Sequence, residues 1–113
     1  MNVSTDRSQG VPIVRVKEAR LAYPLLPDFA HAVVALIEGG DATVIIDMSA
    51  VGYVDSATIG CLMDLYRQST AAGGALKLVG VQKRVDTMLT LTGAQHFIEL
   101  HADEPSALKT SGG

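Results

Sequence analysis

The sequence predicts a single small α/β domain with a mixed, mostly parallel sheet of about four to five strands and helices packed against it. Three observations support this class. Segments with strand-like and helix-like hydrophobic periods alternate along the chain. One strand segment is an uninterrupted β-branched run, which is typical of a parallel sheet covered on both faces. The 113 residues, 48% of them hydrophobic, are enough for one core.

The first predicted strand and the first predicted helix are separated by a segment whose secondary structure the sequence does not decide. Residues 11–16, VPIVRV, are predicted as a strand, and Pro12 places its start late or at a sheet edge. Residues 17–23 fit either an extension of this strand or a second short strand. Residues 26–38 follow helical spacing, with Pro27 in the first turn, where its missing N–H costs nothing.

The remaining elements repeat this alternation. The run TVIIDM is the β-branched strand, and a glycine or a glycine pair follows each predicted helix, where it permits a positive φ. The predicted strands are 43–48, 75–79 and a short 97–100, and the predicted helices are 56–72 and 81–92.

The domain is expected to span residues 11–101. Residues 1–10 are polar and are expected to form a flexible N-terminus. Residues 102–113 form a polar tail with at most one weak helical turn, around 105–109. Because the tail has few apolar groups, we expect it to bury little surface.

Composition excludes several function classes. The net charge is −3, and the densest basic group is only Lys83-Arg84, so nucleic-acid binding is disfavoured. The single cysteine, Cys61, forms no internal disulfide, which fits a reducing cytosol. The N-terminus lacks a signal peptide's apolar core, and no apolar run approaches the ~18 residues of a membrane span. These features predict a cytoplasmic domain without membrane insertion.

The sequence gives no indication of a cofactor or a metal. It has neither a Walker pattern nor G-x-G-x-x-G, and its histidines are scattered without a partner cysteine pair: His31, His96 and His101. A phosphorylated receiver domain needs an acidic pair after the first strand. This chain has Lys17-Glu18-Ala19-Arg20 there, with only one acidic residue, so a receiver domain is disfavoured. Ser56 is not in a nucleophile elbow and has no identifiable base, so an enzyme using Ser56 as nucleophile is disfavoured.

The junction GYVDSATIG, residues 52–60, places polar side chains where a strand passes into a helix. Asp55-Ser56 fits an N-cap, in which an oxygen accepts from free backbone N–H groups at the helix start. At about 100° per residue, one face of the helix carries the core positions Ile59, Leu62, Met63 and Tyr66. The opposite face is small and nearly uncharged, with Ala57, Gly60, Cys61, Asp64 and Gln68. Gly60 and Cys61 are placed there either for a partner's close approach or for packing under a loop.

The run VIIDMSAVGYVDSATIGCLMDLYRQSTAAGGALKLVGVQKRVDTMLTLTGAQHFIEL resembles the anti-sigma-factor antagonist family, also called the STAS domain. The resemblance covers about residues 26–101 and is carried by the strand ending in Asp47, the Asp-Ser-x-x-apolar-Gly motif, the Gly-Gly, ALKLVG and L-T-G. Two departures are Ala57-Thr58, where many members have a second hydroxyl and a glycine, and the segment 17–27, which lacks the family's glycine.

The resemblance implies a bacterial-type regulatory protein without catalysis of its own. Its partner would be an anti-sigma factor that is itself an ATP-dependent serine kinase, and a PP2C-type phosphatase would reset the switch. Ser56 matches the phosphorylated serine. The implied partner-binding residues are Asp55, Ser56, Ala57, Gly60, Cys61 and Asp64.

The same resemblance leaves a second function open. The departures also fit a non-switching STAS subunit of a stressosome or of a membrane transport complex, in which the helix would be a permanent interface. In the switching alternative, Ser56 rather than Thr58 takes the phosphate, because Thr58 lies about 200° around the helix and faces the sheet or a loop. The oligomeric state does not follow from the sequence.

Overall fold

The computed structural model describes residues 1–109, which form two sheets and four α-helices. The strands are β1 Val3–Ser8, β2 Val11–Val16, β3 Arg20–Leu21, β4 Val44–Asp47, β5 Tyr53–Val54, β6 Leu76–Val79 and β7 Glu99–His101. The helices are α1 Leu26–Glu38, α2 Ser56–Ala71, α3 Lys83–Thr92 and α4 Glu104–Lys109, with short 3-10 turns at Tyr23–Leu25 and Ala94–His96.

The main sheet has five strands in the order β1-β2-β4-β6-β7. β1 is antiparallel to β2, and the other three pairings are parallel. The predicted mixed, mostly parallel sheet is therefore confirmed. β3 and β5 form a separate parallel pair, in which Arg20 lies opposite Tyr53 and Leu21 opposite Val54.

The two faces of the main sheet are covered unequally. On one face, β2, β4 and β6 pack against α1, α2 and α3, and this core includes Phe29, Ile46 and Leu62, all fully buried. On the other face a small cluster consists of Ile13, Ile45, Val79 and Ala107, the last contributed by α4. β4 is thus buried on both sides, as its uninterrupted apolar run predicts.

The N-terminal segment differs from the expected flexible stretch. β1 pairs with β2 along its whole length, and the hairpin loop is Gln9-Gly10, both with positive φ, as a type I′ turn requires. The strand is polar because it lies at the sheet edge. Its charges are paired: Asp6 Oδ2 accepts from Arg15 Nε at 2.6 Å, and Arg7 Nη2 donates to Asp41 Oδ2 at 2.6 Å.

The tail also differs from expectation, because residues 104–109 form α4 and dock on the sheet. Ala107 is fully buried and accepts a hydrogen bond from Lys77 Nζ at 3.0 Å. Glu104 forms two hydrogen bonds with the Arg15 guanidinium, at 3.0 and 3.2 Å. The predicted helical turn is confirmed, but it packs against the sheet instead of extending into solvent. Residues 110–113 lie outside the described part of the chain.

The buried side of α2 is rotated relative to the predicted core face. Ile59 and Leu62 are buried as expected, whereas Met63 and Tyr66 are only half-buried. Tyr66 instead packs against the ring of Phe97, with ring centroids 5.9 Å apart. The helix buries a set of polar and apolar residues that includes Thr58, Leu65 and Ser69.

Candidate functional site

The junction between β5 and α2 is organised by the carboxylate of Asp55, which is the N-cap of α2. Its Oδ1 accepts from the backbone N–H of Thr58 at 2.9 Å, and its Oδ2 accepts from the backbone N–H of Tyr23 at 3.0 Å. Hydrogen bonds from the Thr58 side chain and then from the Tyr23 backbone hold the pKa of Asp55 below its usual value. One side chain therefore satisfies the helix start and fixes the chain that enters α1.

Ser56 and Thr58 occupy opposite environments. Thr58 is fully buried, and its hydroxyl lies 2.7 Å from both the Leu21 carbonyl oxygen and Asp55 Oδ1. Ser56 is the first residue of α2, is exposed, and makes no side-chain hydrogen bond within residues 1–109. The predicted orientation of Thr58 is confirmed. The predicted share of Ser56 in the cap is wrong, because Asp55 alone supplies it.

The small-residue face of α2 is open. Ala57, Gly60, Asp64 and Gln68 are exposed, and Cys61 is half-buried. A Cβ added at Gly60 would have no heavy atom within 4 Å, apart from its own helix and chain neighbours, so no loop of the described chain covers this position. Of the two alternatives for Gly60, the geometry favours the open surface. Burial, and then the charge of Asp64, raise the pKa of the Cys61 thiol.

This face forms one wall of a groove of about 830 Å³ between α1 and α2. Four of the six expected partner-binding residues line it: Ala57, Gly60, Cys61 and Asp64. The opposite wall comes from the 3-10 turn and α1, and its lining residues are Tyr23, Pro24, Leu26, Pro27, Ala30 and Val34. Tyr23 is 73% exposed there.

The second wall was missed by sequence reasoning. Its residues lie in and after the segment 17–27, where the family's glycine is absent, and their apolar spacing reads as ordinary helix core. The available signal was Pro24 just before the helix, since a proline restricts the residue before it and is favoured where a helix begins, which separates Tyr23 from the helical stripe.

Asp47, the residue at the strand end in the family motif, lies outside the groove. Its Oδ1 accepts from the Ser49 backbone N–H at 2.9 Å, and its Oδ2 accepts from Arg15 Nη1 at 3.0 Å. Burial opposes ionisation here, but the hydrogen bonds from Ser49 and Arg15 outweigh it and lower the pKa of Asp47. Asp47 thus shapes the loop after β4 and joins the sheet's charge network.

The residues considered for metal or acid–base chemistry are not brought together at Ser56. Within residues 1–109 no three metal-ligating side chains form a cluster. His101 lies on β7, where its Nδ1 is 3.1 Å from Ser106 Oγ and its Nε2 is 3.1 Å from Glu99 Oε1, and so it links β7 to α4. None of the helices in this part of the chain combines the length and apolar character that a bilayer crossing requires.

The fold is that of a small α/β domain, and one face of its helix α2 is open. The STAS domain family model matches residues 2–107, and the chain therefore belongs to the STAS domain family. No curated protein matches the chain by sequence.

Solved structures share the fold at low sequence identity. An anti-sigma-factor antagonist (STAS) domain protein from Planctomyces limnophilus superposes with a TM-score of 0.89 at 17% identity, covering 98% of each chain. The phosphorylated form of the Bacillus cell fate determinant SpoIIAA superposes with a TM-score of 0.72 at 15% identity, covering 96% of this chain and 97% of that one. The murine Slc26a9 anion transporter matches with a TM-score of 0.79 at 23% identity, over 95% of this chain and 18% of the transporter.

Proposed function

We propose that this chain is an anti-sigma-factor antagonist that binds an anti-sigma serine kinase and is switched off by phosphorylation of Ser56. In this role it regulates transcription indirectly, in the cytoplasm, and has no catalysis of its own. The kinase transfers the γ-phosphoryl group of ATP, forming the Oγ–P bond at Ser56 and releasing ADP and the hydroxyl proton. A PP2C-type phosphatase restores the hydroxyl.

The observation that carries this proposal is that Asp55, and not Ser56, caps helix α2. The Ser56 side chain makes no capping hydrogen bond and is exposed beside the groove. A phosphate adds about −1.5 to −2 charge, which a helix N-terminus tolerates. The same charge beside Asp55 repels a partner that approaches the small-residue face closely. Phosphorylation would thus preserve the fold and weaken the interface.

The interface in this proposal has two walls. The α2 wall carries the expected residues Ala57, Gly60, Cys61 and Asp64, and the other two expected residues, Asp55 and Ser56, lie at the start of the helix. The turn before α1 adds Tyr23, whose exposed aromatic ring is the kind of side chain that is enriched at binding hot spots. Support also comes from the shared fold with SpoIIAA, which has been solved in a phosphorylated form.

The test is phosphopeptide mapping after incubation with the anti-sigma kinase encoded in the same genome and ATP. Label is expected on Ser56 and absent from Ser56→Ala, which should bind the kinase constitutively. Ser56→Asp should fold and bind weakly. The matched control is Thr58→Val, which removes the other hydroxyl and should not reduce labelling. Phosphate on Thr58, or undiminished labelling of Ser56→Ala, would contradict the proposal.

A second function is favoured by the match to the anion transporter, in which a STAS-like region is part of a much longer chain. In that alternative this chain is a non-switching subunit of a stressosome or of a membrane transport complex, and the groove is a permanent interface. A pull-down from native cytosol and membranes, with and without ATP, separates the two. Prey released by ATP supports the switch, whereas transport or scaffold subunits retained in ATP support the subunit.

A further inference from the structure

A second depression is lined by Ser56 and shares no lining residue with the α1–α2 groove. It has a volume of about 430 Å³ and is lined by Tyr53, Val54, Asp55, Ser56, Arg84 and Met88. Ser56 and Arg84 come from different helices, α2 and α3, and share this one depression. Arg84 has no part in the switch proposed above, so a separate reason is needed for its position beside Ser56.

Arg84 has no carboxylate partner in the part of the chain that the structure describes. Among residues 1–109, Arg7, Arg15 and Arg67 each pair with an acidic side chain, whereas Arg84 makes neither an ion pair nor a side-chain hydrogen bond. Arg20 likewise has no carboxylate partner, and its guanidinium carbon lies 4.2 Å from the ring centroid of Tyr53, which lines the depression. In a chain of net charge −3, one guanidinium group without a carboxylate partner thus lines the depression beside Ser56, and a second lies against the Tyr53 ring at the same depression.

The position of Arg84 within its helix is also unfavourable. Lys83 and Arg84 are the first two residues of α3, where the backbone N–H groups carry partial positive charge. A cation there opposes the helix dipole, whereas Asp86 is the favourable charge of this first turn, and the N-cap residue Gln82 makes no side-chain capping hydrogen bond. Stability of the unmodified protein therefore does not explain Arg84.

We propose that Arg84 is the binding residue for a phosphate on Ser56, with Arg20 as a second, more distant positive charge. A phosphoserine offers three acceptor oxygens, and a guanidinium is well suited to bind them through paired N–H donors. The phosphate would lie in the depression that Ser56 and Arg84 line, and its charge would remain at the start of α2 beside Asp55. This inference rests on the phosphorylation proposed above and adds to it a built-in receptor for the modified side chain.

The charged groups that face such a phosphate come from three elements. Asp55 precedes α2 and repels it, Arg20 on β3 attracts it from beside Tyr53, and Arg84 on α3 attracts it within the depression. Asp86, also on α3, is exposed and lines a different depression with Leu100 and His101. Since Asp55 and Asp86 are the same in every variant compared below, their effect cancels in the comparison. A phosphate bound by Arg84 loses its second proton more readily than one that faces solvent.

The experiment installs phosphoserine at position 56 during synthesis, so it needs no kinase. The second pKa of the phosphate is measured by phosphorus NMR titration in the parent chain, in Arg84→Gln and in Lys83→Gln. We expect Arg84→Gln to raise this pKa by about half a unit towards the ordinary value near 6. Lys83→Gln, which removes an adjacent charge that does not line the depression, should change it much less.

Two further outcomes are decisive. An unchanged phosphate pKa in Arg84→Gln, or an equal rise in Lys83→Gln, would overturn the assignment. Without phosphate, Arg84→Gln should melt no lower than the parent chain, and a melting temperature several degrees lower would overturn it by showing a structural role. Failure of the kinase to label Ser56 refutes the proposed function, while the NMR comparison tests Arg84 independently.

Discussion

Asp55 caps helix α2 and its neighbour Ser56 does not, and the sequence alone did not show which of the two is the cap. Both are short oxygen-bearing side chains at a helix start, and either type serves as an N-cap. Only the fold shows that Asp55 reaches Thr58 and Tyr23 at once, because the Tyr23 contact spans 32 residues of chain. The motif identified the position, and tertiary structure decided which residue caps the helix.

The first prediction concerns this cap. Asp55→Ala should destabilise the fold by about 1 to 2 kcal/mol, because it removes the acceptor of two backbone N–H groups. Ser56→Ala should stay within about 0.5 kcal/mol, since Ser56 makes no side-chain hydrogen bond in the described chain. Urea unfolding measures both. An equal loss in the two variants would show that Ser56 shares the cap.

The second prediction concerns Gly60. Gly60→Gln should keep or raise stability, by up to about 1 kcal/mol, because the position is open and glycine is a poor helix former. Its side chain should obstruct the groove and weaken binding of the kinase. The control is Thr70→Gln, an exposed position of α2 that does not line the groove. Calorimetry of folding and binding separates the effects, and unimpaired binding by Gly60→Gln would remove Gly60 from the interface.

At the scale of elements, the sequence pattern predicted the long helices and the buried strand, but it did not predict the shortest strands or the polar strand β1. The helical period gave α1 from Leu26 to Glu38, and the β-branched run gave β4. β3 and β5 are two residues each, too short for any period to appear. β1 is polar, and what stabilises it is pairing with β2 and ion pairs to distant residues, none of which a local pattern records.

The third prediction follows from the docking of α4. Deletion of residues 103–113 should cost at least about 2 kcal/mol, because it uncovers Ile13 and Ile45 and removes one hydrogen-bond acceptor of the buried Lys77. The control Glu104→Gln keeps the helix and weakens only a partly exposed ion pair, so it should cost no more than about 1 kcal/mol. Thermal unfolding checks both. A loss of only a few tenths of a kcal/mol on deletion would show that α4 contributes little.

At the scale of the whole molecule, the charges form a pattern that composition does not reveal. Arg15 is hydrogen-bonded to Asp6, Asp47 and Glu104, and so joins β1, β2, β4 and α4 on one face of the sheet. The net charge of −3 gives no hint of this network, because it depends on which strands are neighbours. Ser56 and Arg84, the residues of the proposed switch, lie elsewhere, at the starts of α2 and α3.

The fourth prediction is acid sensitivity. The pKa values of Asp41, Asp47 and Asp55 are all lowered in the folded protein. Hydrogen bonding to Arg7 lowers that of Asp41. Burial raises the pKa of Asp47, but hydrogen bonds from Ser49 and Arg15 outweigh it, and hydrogen bonds from Thr58 and Tyr23 lower the pKa of Asp55. A lowered folded pKa gives stability that is complete above the unfolded value of about 3.9 and lost as the pH falls through the folded values.

The unfolding free energy should therefore be nearly constant between about pH 5 and 7 and fall steeply below about pH 4. Urea titrations at several pH values measure this dependence. Asp47→Asn should be less stable at neutral pH and show a shallower decline in acid. A stability that is independent of pH down to about 2.5 would contradict the assigned pKa shifts.

The double contact of Asp55 has a kinetic consequence. Its carboxylate joins the start of α2 to the Tyr23 backbone, and these two segments form opposite walls of the α1–α2 groove. These hydrogen bonds join the two walls in the free chain, so in the proposed function we expect docking to require no preceding rearrangement of this chain. We therefore expect encounters to be limited by diffusion and orientation, and phosphorylation to act mainly by shortening the lifetime of the complex.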